Sequence, residues 1–418
     1  MISPLQLVKE LNFVRTAGSE EEKKGFQILE SYLDKFGIKY KEEPFELHAY
    51  LPGEANIKAV GKTFTAYPFG LTESANIEGE LVFIENPESL IYNKRSYKGK
   101  VIIGNKYSNK IHKALKRCQA EAYFSIGRPL VDASTRSYRQ KIYEEGYVPC
   151  LSIDYKQGAK LSRLEGKKIS IKIKQKVDKK QTHNLIADIP GTGNDENIIY
   201  AVAHFDTVAR APGASDNTGG SVTLLKIAEY FAEHKPERAL KLIWFSGEEM
   251  GLLGSQNYVK KHLDEIKDKA GIVFNIDVTG DDLGHNIYKI IGSKELLGYI
   301  DGLSKEKGFM YNAKLDIYSS DGMPFSRYEI PSVNLARFGG QASANIHTKN
   351  DHVRYITRRG LDTTVDTAIY LIEKIANANI FPVKREIDSS LKDKIEKYLW
   401  NLTFEKPELE WTPKYKKD

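Results

Sequence analysis

A three-layer α/β/α domain with a mostly parallel mixed sheet, carrying an inserted β-rich domain, is the fold this 418-residue sequence predicts. Three observations carry that reading. The runs "NIIYAVAHFD", "ALKLIWFS" and "AGIVFNIDV" are nearly continuous in apolar residues, as strands covered on both faces are. Helical patterns alternate with them, which favours parallel pairing. Between Ala55 and Lys176 the texture changes to short β runs and turns. The predicted division is residues 1–50 with 177–418 as one discontinuous domain, and 55–176 as the insert.

Taken in order, the chain opens on a helical pair broken at "RTAGS" (Arg15 to Ser19). Ser19 is an N-cap with Glu22 at the capping-box position, and Phe26, Leu29, Tyr32, Leu33 and Phe36 follow at helical spacing until Gly37 stops the helix. "IKYKEEPFEL" reads as a strand ended near Pro52-Gly53. Within the insert, "GELVFIEN", "GKVIIGN" and "GKKISIKIK" are β runs, and "KIHKALKRCQAEAYFSI" is an amphipathic helix running into a strand. "VPCLSIDYKQGAKLSRLEG" gives a strand, a helix start at Asp154 and a helix end at Gly166. Later helices are expected over Gly219–Glu233, with Val222, Leu225, Ala228 and Phe231 as its buried stripe, and over Leu253–Lys267. From Arg385 a charged helix carries Leu391, Ile395, Leu399 and Trp400 into a polar tail.

Composition narrows the function. No run approaches the ~20 apolar residues of a membrane span, and the amino terminus has no basic segment before a long apolar one. Cys118 and Cys150 cannot build a disulfide framework or a four-sulfur zinc site, so they read as core fillers in a cytoplasmic protein. The net charge of +6 comes from dispersed lysines without a basic, aromatic-laced stripe, which argues against a nucleic-acid partner.

The chemistry gathers at the carboxyl ends of the predicted strands, where α/β sheets bind ligands. One strand ends at His204 and Asp206, and the loop "AHFDTVARAPGASDNTGG" then delivers Asp216. The next ends in Glu248 and Glu249, the third in Asp277, and a late loop offers His347. His48, His112, His183, His234, His262, His285 and His352 have no such setting and read as structural. Imidazoles with carboxylates and no thiolate suit zinc, with cobalt or manganese as substitutes. Two divalent ions held by Asp216, Glu249 and Asp277 leave one positive charge for a hydroxide to neutralise, the count of a two-metal hydrolase. Adjacent glutamates diverge by roughly 100° in a helical or turn backbone, so one can hold a metal while the other faces the attacking water as general base. His204 and Asp206 share a strand face, which suits Asp206 as a supporting carboxylate.

These segments, with "SSDGMPFSRYEIPSV" and "IHTKND", resemble in order the motifs of the co-catalytic zinc aminopeptidase family. "THNLIADIPGTG" and the first helix are similar to it as well, so the resemblance spans about 1–50 and 180–380, while 55–176 resembles the protease-associated domain some members insert. The resemblance implies two zinc ions: His204 and Asp277 on one, Glu249 and His347 on the other, Asp216 bridging, Glu248 as general base and Asp206 supporting. It implies a metal-dependent exopeptidase that removes the N-terminal residue from peptides. The chain departs from the pattern at Gly322, where many members have histidine, and at Ile346, where some have tyrosine. A carboxypeptidase or dipeptidase uses similar ligands, but the twelve-residue step from His204 to Asp216 fits the aminopeptidases better. A one-metal glutaminyl cyclase would not need His204, and a non-catalytic binding module would tend to lose ligands.

Overall fold

A computed structural model describes residues 2–403, and the polar tail beyond lies outside the described residues. Eight strands form a mixed sheet: β1 (Tyr40–Tyr50), β9 (Val177–Ile189), β10 (Ile198–His204), β11 (Leu240–Phe245), β12 (Ala270–Ile276), β13 (His285–Ile291), β14 (Tyr311–Leu315) and β15 (Ser332–Phe338). Their order is β1-β9-β11-β10-β12-β15-β13-β14. The four in the middle, β11, β10, β12 and β15, are mutually parallel, and antiparallel neighbours flank them.

Alternation along β10 explains the layers. Ala201 and Ala203 pack with Val222, Leu225 and Phe231 of the helix Gly219–Glu233 on one face, where the helices Glu20–Phe36 and Arg358–Ala376 also lie. Tyr200 and Val202 pack with Tyr258, Val259 and Phe325 on the other. The predicted stripe of Val222, Leu225, Ala228 and Phe231 is buried, and so is every other residue from Gly219 to Ala228.

The other strands, β2 (Glu54–Ala59), β3 (Lys62–Pro68), β4 (Ala75–Phe83), β5 (Lys100–Gly104), β6 (Ala122–Ile126), β7 (Cys150–Ile153) and β8 (Lys168–Lys174), close into a barrel ordered β2-β3-β7-β6-β5-β4-β8. All lie in sequence between β1 and β9, which pair antiparallel over the whole length of β1, from Tyr40↔Ala187 to Tyr50↔Val177. The ribbon does not stop there. Leu51 donates to the Lys176 carbonyl at 3.0 Å, and β2 then pairs antiparallel with β8 from Glu54↔Lys174. Two paired strand stretches, with a short interruption at residues 51–53 and 175–176, thus lead from the sheet into the barrel. Beside it, one apolar cluster spans both bodies, joining barrel residues Phe69, Tyr138 and Cys150 to Tyr50, Ala209 and Met250.

Three expectations shift in detail. The helix expected over Leu253–Lys267 is two, Leu253–Lys261 and Leu263–Lys269, because His262 leaves the helical path and its Nε2 meets Glu43 at 2.7 Å. The helix begun at Asp154 ends at Ser162, before Gly166. The last helix starts at Ser389, since Arg385 instead donates to the Lys267 and Asp268 carbonyls; Leu391, Ile395 and Leu399 are buried and Trp400 is half exposed.

Gly25, inside the first long helix, is where the end of β10 presses closest: a Cβ there would lie 2.6 Å from Phe205 Cζ and 3.0 Å from Arg15 Cδ. Alanine favours helix by up to ~1 kcal/mol, yet overpacking costs about 1–3 kcal/mol. Gly25→Ala is expected to lower the melting temperature; an unchanged or higher value in a thermal scan would refute this packing.

Candidate metal centre

β10, β11 and β12 lie side by side in parallel, so their carboxyl ends open onto one place. The apolar runs bury the strands, and the polar residues that end them are left at the rim. His204 is the last residue of β10, and its Nδ1 lies 3.1 Å from the Asp206 carbonyl oxygen, which fixes the ring. Its Nε2 faces Asp216 Oδ1 at 3.1 Å and Asp277 Oδ1 at 3.4 Å. His347 Nε2 faces the other Asp216 oxygen at 3.0 Å and Glu249 Oε2 at 3.2 Å. Asp216 thus turns one oxygen to each imidazole.

Asp216 sits in a turn, Ala214–Thr218, ahead of the helix that begins at Gly219. The small residues of "GASDNTGG" are there for proximity: a Cβ on Gly219 would lie 2.1 Å from Thr279 Oγ1, and one on Gly220 2.4 Å from the Ile276 carbonyl. Asp206 is fully buried and accepts from the Glu248 amide at 3.0 Å and the Glu249 amide at 3.3 Å. It orients the acidic pair as well as the His204 ring.

Two sets of three emerge, His204 with Asp216 and Asp277, and Asp216 with Glu249 and His347, each with donor atoms within 4.8 Å of one another. Zinc–ligand bonds of about 2.0–2.2 Å in a tetrahedron put ligand atoms roughly 3.3–3.5 Å apart, close to the separations above. Glu249 Oε1 and Asp277 Oδ1 are buried with no hydrogen-bond partner, as metal-facing oxygens would be. The donor set therefore fits a pair of divalent ions. Among the described residues a third group, Glu30, Glu42 and His183, lies where the helix Glu20–Phe36 meets the outer strand pair, with Glu42 exposed; the sequence alone gives His183 only a structural reading.

Electrostatics agree. Burial raises the Glu248 carboxyl well above its usual range, with repulsion from Glu249, Asp321 and Asp277 added to it. Burial likewise raises Glu249 and Asp277. For His204 burial works downward, but Asp206, Asp216 and Asp277 win and carry the imidazole well above its usual value; Glu249 and Asp216 do the same for His347. Asp216 is opposed by burial, yet the two imidazoles hold it well below the carboxylate range.

The profile of peptidase family M28 matches residues 184–372, which contain all seven residues predicted for the site. That segment belongs to peptidase family M28. Over the longer chain, leucine aminopeptidase 2 of Trichophyton equinum is 24% identical across 377 residues, covering 82% of this chain and 75% of that protein. Among solved structures, an M28 peptidase precursor from Shewanella amazonensis aligns with a TM-score of 0.79 at 19% identity, over 92% of this chain and 95% of its own. A zinc aminopeptidase from Bacillus subtilis aligns with a TM-score of 0.74 at 19% identity, over 92% and 98%. These likenesses establish a shared fold across sheet and barrel.

Other residues of and around the M28 segment support the site without having been singled out. Asp351 is fully buried, accepts from the Ser215 and Asp216 amides at 2.8 and 3.0 Å, and is pushed by burial up to about 7. It is the last residue of "IHTKND", and its carboxylate is taken up by those two amides. Arg15 is also fully buried, donating to the Phe205 and Pro212 carbonyls and to Thr218 Oγ1, so it clamps both ends of the loop between His204 and Asp216. Asp321 meets Ser255 at 2.6 Å, and burial raises it to about 7.

Glu248, Glu249, Asp277 and both imidazoles hold protons more tightly folded than unfolded. Their contribution to stability is present below the unfolded values and is lost as pH rises through the folded ones. Metal displaces those protons and so binds better at higher pH. The chelated protein is expected to melt lower at pH 8.5 than at pH 6, with the gap to the zinc-loaded protein widening; a gap independent of pH would contradict the geometry.

Proposed function

We propose that the chain is a metallo-aminopeptidase, a zinc-dependent hydrolase that removes the N-terminal residue from peptides. The observation that carries this is Asp216, whose two oxygens face His204 and His347 separately, one toward each set of donors. His204, Asp216 and Asp277 would hold one ion, and Asp216, Glu249 and His347 a second. When bound, such ions supply Lewis acidity, polarising the scissile carbonyl and making water a stronger acid. The family of the catalytic segment and the aminopeptidase relatives support the class, and peptides follow as substrates.

Glu248 is the group left to move the proton. Its backbone amide is fixed on Asp206, and burial raises its proton affinity, so it suits both taking a proton from the attacking water and giving it to the leaving amine. Asp206 positions this pair and the His204 ring. We read residues 1–50 with 177–418 as the catalytic domain and the barrel as a protease-associated-like insert, supported by the barrel's place between two paired strands. Among the described residues no helix is long and apolar enough to cross a membrane.

Amino-acid anilides with free and with acetylated amines separate this from a carboxypeptidase or cyclase. Release from the free amine only, abolished by chelator, is the expected result; cleavage that depends on a free C-terminus would defeat the assignment. Glu248→Gln is expected to keep its metal, measured by elemental analysis, and to lose on the order of 10²–10⁴ in kcat. Near-full activity in that variant removes Glu248 from the role.

A further inference from the structure

His347 differs from the other four candidate ligands in how it is held. His204, Asp216, Asp277 and Glu249 lie at strand ends or adjoining turns, with side chains 2–9% exposed, whereas the His347 side chain is 38% exposed on a loop with left-handed backbone, φ 63°. Its neighbourhood is gripped from outside the catalytic segment. Arg128 Nη2 donates to the Ala344 carbonyl at 2.9 Å, Thr135 N donates to the His347 carbonyl at 2.7 Å, and Asp132 Oδ2 meets Lys349 Nζ at 2.8 Å. All three come from one barrel loop, between β6 and the helix Gln140–Glu144.

That loop is itself well built. Ala133 and Tyr138 are buried, the Gly70 amide bonds the Arg136 carbonyl at 2.7 Å, and the Tyr138 hydroxyl bridges the Val148 carbonyl and the Cys150 amide, both at 2.7 Å. It can therefore pass the barrel's rigidity to whatever it holds. An exposed ion pair alone contributes little, ~0–1 kcal/mol, but three attachments along residues 344–349 restrict the same short segment together.

We propose that this barrel loop is a positioning device for His347, and thereby sets the affinity of the Asp216, Glu249, His347 set for its ion without touching the ion. Arg128 and Asp132 are positioning residues. The inference rests on the two-ion reading above.

The test is a Co²⁺ titration of the metal-free full-length protein, followed by absorption and calorimetry. Wild type is expected to take up two equivalents. In Arg128→Met with Asp132→Asn, one equivalent should weaken by about tenfold to a hundredfold, as supporting partners of metal ligands typically cost, while the other stays near wild type and the chelated protein melts as before. The exchanged pair Asp132→Lys with Lys349→Asp should recover most of the loss of Asp132→Lys alone. Two equivalents bound as in wild type would overturn the positioning role and leave the two-ion reading standing. Equal weakening of both, or a lower melting temperature of the chelated variant, would overturn it as general loosening. A wild type that takes up fewer than two ions would overturn the two-ion reading, and this inference with it.

Discussion

Too much negative charge in too small a space is the constraint around which the molecule is arranged. Asp206, Asp216, Glu248, Glu249 and Asp277 converge at the ends of three neighbouring strands, with two imidazoles among them. Taking carboxylates out of water costs several kcal/mol each unless they are compensated. The chain supplies part of the compensation. The imidazoles protonate readily, backbone amides point at Asp206, and the Arg15 guanidinium, held by burial down to about 10 yet attracted to Asp206, Glu22 and Asp351, lies beneath. The remainder is what cations would provide.

The chain was most readable where local pattern and tertiary role coincide. Apolar strands ending in polar residues announce a covered parallel sheet and the rim where candidates such as His204, Glu248, Glu249 and Asp277 gather, while Asp216 and His347 come from loops. Glu22 shows the limit. Ser19 does cap its amide at 3.1 Å as the capping box requires, but the Glu22 carboxylate turns away to the Gly18 amide, Thr182 and Ser246, and burial raises it to about 8. Thr182 and Ser246 lie 160 and 224 positions from Glu22, so its local sequence does not contain that information. Arg15 and Asp351 were unreadable for the same reason: their partners lie 190 and 136 positions away. Closure of the barrel is likewise a matter of which strands meet at distance. The break at His262 needed Glu43, 219 positions back.

The sheet and the barrel share more than a covalent connection. Met250, directly after the acidic pair, and Ala209, in the loop between His204 and Asp216, pack in one cluster with barrel residues Tyr138 and Cys150. Arg210 lies over the ring of Tyr67 from β3. Each loop that presents a candidate ligand from the carboxyl end of β10, from β11, or from the segment after β15 thus rests partly on the barrel.

The ladder through Tyr50↔Val177 and Leu51, resumed one residue out of register at Glu54↔Lys174, gives this arrangement its mechanical character. A body hung from a single strand can swivel, because one chain has two free torsions per residue. Two hydrogen-bonded strands cannot rotate independently without breaking their shared rungs. The barrel is carried like a bracket rather than a swinging door, which leaves side chains and loop tips as the parts free to move over the strand-end donors.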